Sequence, residues 1–106
     1  MVFDYDFLSQ EFDGYVGSVF DDTFSVTVAG AGGSYTETVT TVNLVGVAAS
    51  VPVNVPWDTA FQHTGWRTHR VDLRGLEGDL TITFSITDVG DSAFGSVALL
   101  DNIRFE

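Results

Sequence analysis

Three groups of acidic residues stand out in this chain, because carboxylates that converge in space can bind a metal ion. They are Glu11 and Asp22 in SQEFDGYVGSVFDD, Asp88 and Asp91 in TDVGDS, and Asp101 in LLDN. A hard cation such as Ca²⁺ takes about six to eight oxygen ligands, and turns at strand ends can supply them from distant parts of a chain. The spacing is not that of an EF-hand loop. We interpret these five residues as candidate calcium ligands, the alternative being ordinary acidic turn residues.

A second group of residues could bind a sugar. The segment VPWDTAFQHTGWRTHR contains Trp57, Phe61 and His63. Exposed aromatic rings can pack against the CH groups of a sugar while neighbouring polar groups bind its hydroxyls. Trp57, next to Pro56 in a predicted loop, is a better candidate than Trp66, which begins a predicted strand and is expected to pack in the core.

Catalytic chemistry is not indicated by any motif. His63 and His69 are not at a recognised zinc-binding spacing, and no serine has a G-x-S-x-G context. A glycosidase would need two carboxylates flanking a cleft, and nothing in the sequence selects such a pair. The absence of cysteine excludes disulfides, thiolate metal sites and a cysteine nucleophile. We therefore expect a protein that is not an enzyme.

The charge balance limits the partners of the protein. The chain has four basic residues, all arginine, and fifteen acidic residues, which gives a formal net charge of −11. This charge argues against nucleic acid and anionic membranes and favours cations. The alternative is an acidic surface that keeps the protein soluble in a salty medium. The apolar stretch from Val42 to Val55 is too broken to span a bilayer, and no signal peptide follows Met1, so an export signal would lie outside this chain.

The elements that must position these residues are predicted to be strands. With 106 residues, the chain 1–106 is expected to form a single domain, a module of a larger protein or assembly. Apolar and polar residues alternate in VFDYDFLS, DTFSVTVAG and LTITFSITDV, the period-two pattern of strands with one buried face. In WRTHRVDL, Trp66, Val71 and Leu73 are the expected core anchors. About seven or eight short strands separated by turns predict an all-β fold, an antiparallel β-sandwich that is jelly-roll-like.

Two separated stretches also resemble a known family. FDYDFLSQEFDGYVGSVFDDTFSVTV and TITFSITDVGDSAFGSVALLDNIRF are similar to the first and last blocks of choice-of-anchor surface-protein domains, especially type L. The middle of the chain resembles jelly-roll modules such as carbohydrate-binding modules and MAM domains, several of which end in an acidic strand and hold a structural calcium. The resemblance implies an extracellular or cell-surface β-sandwich with an adhesive or structural role. The chain departs from the family at Gly95, where an Asp is common.

Three hypotheses about function follow. The first is a non-catalytic, calcium-stabilised module of a surface or extracellular assembly, whose ion joins the two ends of the chain. The second is a lectin-like module that binds glycans through Trp57, Phe61 and His63. The third is a self-assembling fibre or virion-surface subunit, in which an edge strand pairs with a neighbouring chain. Expected partners are therefore cations, with glycans or neighbouring protein modules, but not nucleic acid.

Overall fold

The structure, a computed structural model, describes residues 1–12, 14–53, 61–73, 75–76, 78–87 and 95–105. Within these residues the chain forms short strands, one helical turn and one 3₁₀ turn. In chain order the elements are β1 (Val2–Ser9), β2 (Thr23–Gly30), β3 (Gly33–Thr41), α1 (Val42–Val45), the 3₁₀ turn (Val47–Ala49), β4 (Val51–Pro52), β5 (Gln62–His63), β6 (Arg67–Arg70), β7 (Thr81–Thr87) and β8 (Ser96–Arg104).

The strands form two antiparallel sheets. In the five-stranded sheet β1 is central: β8 pairs along one side of it, while β6 and β5 pair with successive halves of the other side and β4 extends β5. The three-stranded sheet has the order β3-β2-β7. The chain passes between the sheets after β1, β3, β6 and β7, so both sheets are assembled from distant segments. The predicted antiparallel β-sandwich of about eight strands is confirmed.

The core between the sheets is built mainly from aromatic rings. Phe3 and Phe7 of β1 point inward and are fully buried, as is Phe24 of β2. The Phe3 ring packs edge-on against Phe84 of β7, with centroids 5.0 Å apart, and the Phe7 ring stacks on Phe24 at 6.5 Å. Because burying one such side chain contributes roughly 1.5–3 kcal/mol, the aromatic core supplies much of the cohesion between the sheets.

Trp66 does not belong to this core, and its predicted role as a core anchor is wrong. Its side chain is 56% exposed, whereas Val71 is buried as predicted. Side chains alternate between the two faces of a strand, so residues an odd number of positions apart point to opposite faces. Trp66 and Val71 are five positions apart. Once Val71 packs inward, Trp66 must point outward.

The apolar stretch that follows β3 forms short local structure. Thr41 caps α1 by accepting a hydrogen bond from the Leu44 N–H at 3.1 Å, and the Gly46 N–H closes the turn on the Val42 carbonyl at 3.0 Å. Within the described part of the chain, no helix has the length and apolarity needed to cross a membrane.

Candidate functional site

Three buried polar residues and the half-buried Ser96 meet where β1 ends, β2 begins and β8 begins. Ser9 is the last residue of β1 and lies opposite Ser96, the first residue of β8. Glu11 follows β1 and is 1% exposed, and Asp22 precedes β2 and is 0% exposed. We refer to Ser9, Glu11, Asp22 and Ser96 as the buried carboxylate cluster. It joins segments from near both ends of the chain.

Hydrogen bonds link all four residues of the cluster. The Glu11 N–H donates to Ser9 Oγ at 3.0 Å, and the two serine hydroxyl oxygens are 2.7 Å apart. Ser96 Oγ also lies 2.7 Å from Asp22 Oδ2. A carboxylate only accepts, so Ser96 donates to Asp22 and Ser9 must supply the proton between the two hydroxyls. The Asp22 N–H donates to Glu11 Oε1 at 3.3 Å, which places the Glu11 carboxylate against the Asp22 backbone.

The two described residues that flank positions 88–94 in the sequence contact neighbours of this cluster. Thr87, at the end of β7, pairs with Thr23, which directly follows Asp22. Gly95 exchanges two hydrogen bonds with Gln10: its N–H donates to Gln10 Oε1 at 2.7 Å, and its carbonyl accepts from the Gln10 N–H at 3.1 Å. Thr87 and Gly95 therefore both lie near the buried carboxylates.

The chemistry of the cluster suits a hard cation. Placing two carboxylates in a low-dielectric interior is costly unless a positive charge or a proton compensates them. Carboxylates and hydroxyls are both oxygen donors, which fits Ca²⁺ better than a metal that prefers nitrogen or sulfur ligands. Among the described residues, no three Asp, Glu, His or Cys side chains form a metal-binding group. An ion at this place would therefore require further oxygens beyond the Glu11 and Asp22 pair.

The structure describes three of the five predicted calcium ligands and brings two of them together. Glu11 and Asp22 are brought together, whereas Asp88 and Asp91 lie outside the described residues. Asp101 is placed elsewhere: it is exposed on β8, opposite Asp4 of β1 and five residues beyond Ser96. At about 3.3 Å per residue that separation is about 16 Å, and an odd spacing turns Asp101 toward the opposite face of the sheet. The described geometry does not bring Asp101 to the same ion as Glu11 and Asp22.

The three predicted sugar-binding residues also have different positions. Trp57 lies outside the described residues. Phe61 is only 5% exposed and packs with Leu8, so its ring face is not open to a ligand. His63 is partly exposed, and its Nδ1 lies 3.0 Å from Asp6 Oδ2 and 3.1 Å from Oδ1. The His63 ring is thereby fixed on the outer face of the five-stranded sheet.

That outer face carries a hydrogen-bonded group of polar side chains centred on Asp4. Thr68 Oγ1 donates to Asp4 Oδ1 at 2.8 Å, and Asn102 Nδ2 donates to Asp4 Oδ2 at 3.4 Å. The Arg104 guanidinium lies 3.9 Å from Asp4 Oδ1. The pKa of Asp4 is lowered, mainly by the hydrogen bond from Thr68. The hydrogen bond from Asn102 and the positive charge of Arg104 act in the same direction, and together these effects outweigh the desolvation that raises the pKa.

The buried carboxylate cluster includes residues that the sequence analysis did not select. Ser9 and Ser96 were missed, although Ser9 continues the inward series Phe3, Tyr5 and Phe7 along β1. A hydroxyl at a position that alternation assigns to the core is a signal for a buried polar contact, because such a group must find a partner. Ser96 had no comparable signal, since its role depends on the register of β8.

The chain was also compared with known proteins. No protein-family model, no curated protein sequence and no solved structure matches it significantly.

Proposed function

We propose that this chain is a non-catalytic structural or adhesion module that is stabilised by calcium. The observation that carries the proposal is the contact between two almost fully buried acidic residues, Glu11 and Asp22, in a cluster that joins the end of β1 to the start of β8. An ion bound there would convert repulsion between the carboxylates into cohesion between the two ends of the chain. Asp88 and Asp91, which lie outside the described residues, remain predicted ligands, and the described Thr87 and Gly95 on either side of them in the sequence lie near the cluster.

We also propose an extracellular location for the protein. Extracellular modules bind calcium with dissociation constants of about 10⁻⁴–10⁻³ M, an affinity that a site with two carboxylates and neutral oxygens can provide. The resemblance to choice-of-anchor domains of surface proteins supports the same location. The formal charge of −11 agrees with a cation as partner.

Thermal unfolding of metal-stripped protein tests the calcium proposal. The midpoint is measured in EDTA, in millimolar CaCl₂ and in millimolar MgCl₂, at matched ionic strength. We expect CaCl₂ to add about 1.4 kcal/mol when free calcium is about tenfold above Kd, which raises the midpoint by several degrees. Mg²⁺ is expected to stabilise less, because it demands a smaller octahedral set of ligands. Equal midpoints in EDTA and CaCl₂ would refute a structural calcium ion.

A second candidate is self-assembly through β8. Among the described residues, this nine-residue strand pairs only with β1, and Val97 and Leu99 are exposed on it. An edge strand with free backbone groups can pair with another chain. Within β8, Asn102 has a positive φ of 51° beside the register shift between Val2 and Asp4, and such irregularities hinder pairing along the whole strand.

Light scattering at increasing protein concentration tests this second candidate. Self-assembly predicts a mass that rises with concentration and falls to that of one chain in Leu99→Lys, which places a charge beside the paired edge. Leu44→Lys is the matched control, because Leu44 is exposed on α1 and not on β8. A mass of one chain at all concentrations would exclude assembly through β8.

A further inference from the structure

We propose that the outer face of the five-stranded sheet binds a neutral oligosaccharide, with the Trp66 indole as its stacking platform. This face is formed by outward side chains of β1, β6 and β8 and by Trp66, which directly precedes β6. We call it the Trp66 face, and it consists of Trp66, Thr68, Asp4, Asp6, Leu99 and Asp101. This site differs from the one predicted around Trp57 and Phe61. It also lies on the opposite side of the sheet from the buried carboxylate cluster.

The exposure of Trp66 is the first observation behind the proposal. Trp66 directly precedes β6, whose Arg67 and Thr68 pair with Tyr5 and Asp4 of β1. Strand alternation places Trp66 on the same face as Thr68, and 56% of it is accessible to solvent. A large indole left open on a sheet presents an apolar surface of the kind that the CH groups of a pyranose ring cover.

The second observation is a row of ordered polar groups next to this indole. Thr68, Asp4 and Asp101 lie side by side on β6, β1 and β8. Thr68 donates to Asp4 at 2.8 Å, so its hydroxyl oxygen keeps its acceptor capacity, and Asn102 holds the other oxygen of Asp4 at 3.4 Å. Thr68 and Asn102 thus hold Asp4 in place from paired strands, and Asp101 Oδ1 accepts a hydrogen bond from the Asn102 N–H at 2.7 Å. These groups can therefore bind sugar hydroxyls with little loss of side-chain entropy.

The third observation lies on the other side of Trp66. His63 Nδ1 is 3.0 Å from Asp6 Oδ2, so Nε2 is the ring atom left for an outside partner. Asp6 is opposite Leu99 on β8 and continues the outward series of β1. An aromatic platform flanked by hydrogen-bonding groups in two directions matches a ligand that has both apolar CH faces and several hydroxyls, which is the chemistry of a sugar chain.

The charge of the chain favours neutral sugars. The Trp66 face presents the carboxylates of Asp4 and Asp101, whereas Asp6 is only 6% exposed. Arg104 and the exposed Arg70 supply positive charge at one end of this face. The formal net charge of −11 is nevertheless expected to repel sulfated and uronic-acid glycans. A neutral hexose polymer would not be repelled and could still form hydrogen bonds with the polar groups of the Trp66 face.

Calorimetric titration with defined sugars tests the inference. The probes are cellohexaose, laminarihexaose, mannohexaose and xylohexaose, with heparin as the anionic comparison, all in the presence of CaCl₂. We expect at least one neutral hexaose to bind. Trp66→Ala should weaken that binding about tenfold or more, Trp66→Phe should weaken it less because a ring remains, and Leu44→Ala on α1 should leave it unchanged.

Three results would overturn the proposal. The first is that no neutral hexaose binds, or that heparin binds more tightly than all of them. The second is that Trp66→Ala, shown by circular dichroism to be folded, binds as well as the unaltered protein. The third is a mass of two chains in light scattering that becomes one chain in Trp66→Ala, which would identify a second copy of this protein as the occupant.

Discussion

The hydroxyl of Ser96 lies 2.7 Å from Asp22 Oδ2, although the two residues are 74 positions apart in the chain. Ser96 begins β8 of the five-stranded sheet and Asp22 precedes β2 of the three-stranded sheet. Their hydrogen bond therefore links the two sheets at the point where the buried carboxylate cluster forms. Substitutions of single residues in this cluster can distinguish a purely structural role from metal binding.

Ser96→Ala is expected to destabilise the fold by about 1–3 kcal/mol, because buried Asp22 and Ser9 each lose a hydrogen-bond partner. Urea unfolding followed by circular dichroism measures the change. Ser34→Ala is the control, since Ser34 is exposed on β3 and a surface substitution of this kind stays within about 0.5 kcal/mol. Equal effects of the two substitutions would mean that the contact contributes nothing to stability.

The effect of Asp22→Asn on stability is expected to depend on calcium. In EDTA the amide removes one of two buried negative charges, so the unfolding midpoint should equal or exceed that of the unaltered protein. In CaCl₂ the variant should lose the stabilisation by the ion. Thermal unfolding in both buffers measures this.

Asp101→Asn is the matched control for Asp22→Asn, because Asp101 is exposed and about 16 Å along β8 from Ser96. It should keep the full calcium response. A loss of that response in Asp101→Asn, with Asp22→Asn unaffected, would reverse the assignment of ligands.

Phe24→Ala is expected to cost about 3–5 kcal/mol, because it opens a cavity at the centre of the aromatic core. Phe24 is fully buried and its ring contacts Phe3 and Phe7, with centroids 6.3 and 6.5 Å away. Phe105→Ala removes the same ring from an exposed position and should cost far less. Urea unfolding of both variants compares them, and similar losses would contradict the assigned core.

The pKa of Asp4 is expected to lie below its ordinary value and to rise in Thr68→Val, since the hydrogen bond from Thr68 is the largest cause of the lowering. A carboxyl whose pKa is lower in the folded state binds fewer protons than in the unfolded state. Its contribution to stability is thus present above the ordinary pKa and is lost as the pH falls through the folded value.

Titration of the Asp4 carboxyl carbon by NMR measures this effect. Thr83→Val is the control, because Thr83 is exposed on β7 in the other sheet. An unchanged pKa of Asp4 in Thr68→Val would show that the Thr68 hydroxyl does not stabilise the carboxylate.

The sequence by itself determined the fold class and much of the core. In β1, the alternation of Phe3, Tyr5 and Phe7 with polar residues identified the strand and the face that packs in the core, although Asp6 and Leu8 on its other face are buried as well. Ile82 and Phe84 in β7 were identified in the same way. This was possible because the period of side chains in a strand is a local property, set by the backbone and independent of its partners.

The candidate sites depended on long-range pairing, which only the tertiary structure decided. Glu11 and Asp22 were selected from composition and resemblance, but their meeting with Ser96 follows from the register of β1 with β8. In the same register, Asp101 lies opposite Asp4 and away from Glu11 and Asp22. Trp66 was assigned to the core together with Val71, although strand alternation lets only one of the two point inward, and only the tertiary structure shows that this residue is Val71. A shift of one residue turns a side chain from core to solvent, and the sequence of one strand does not contain that register.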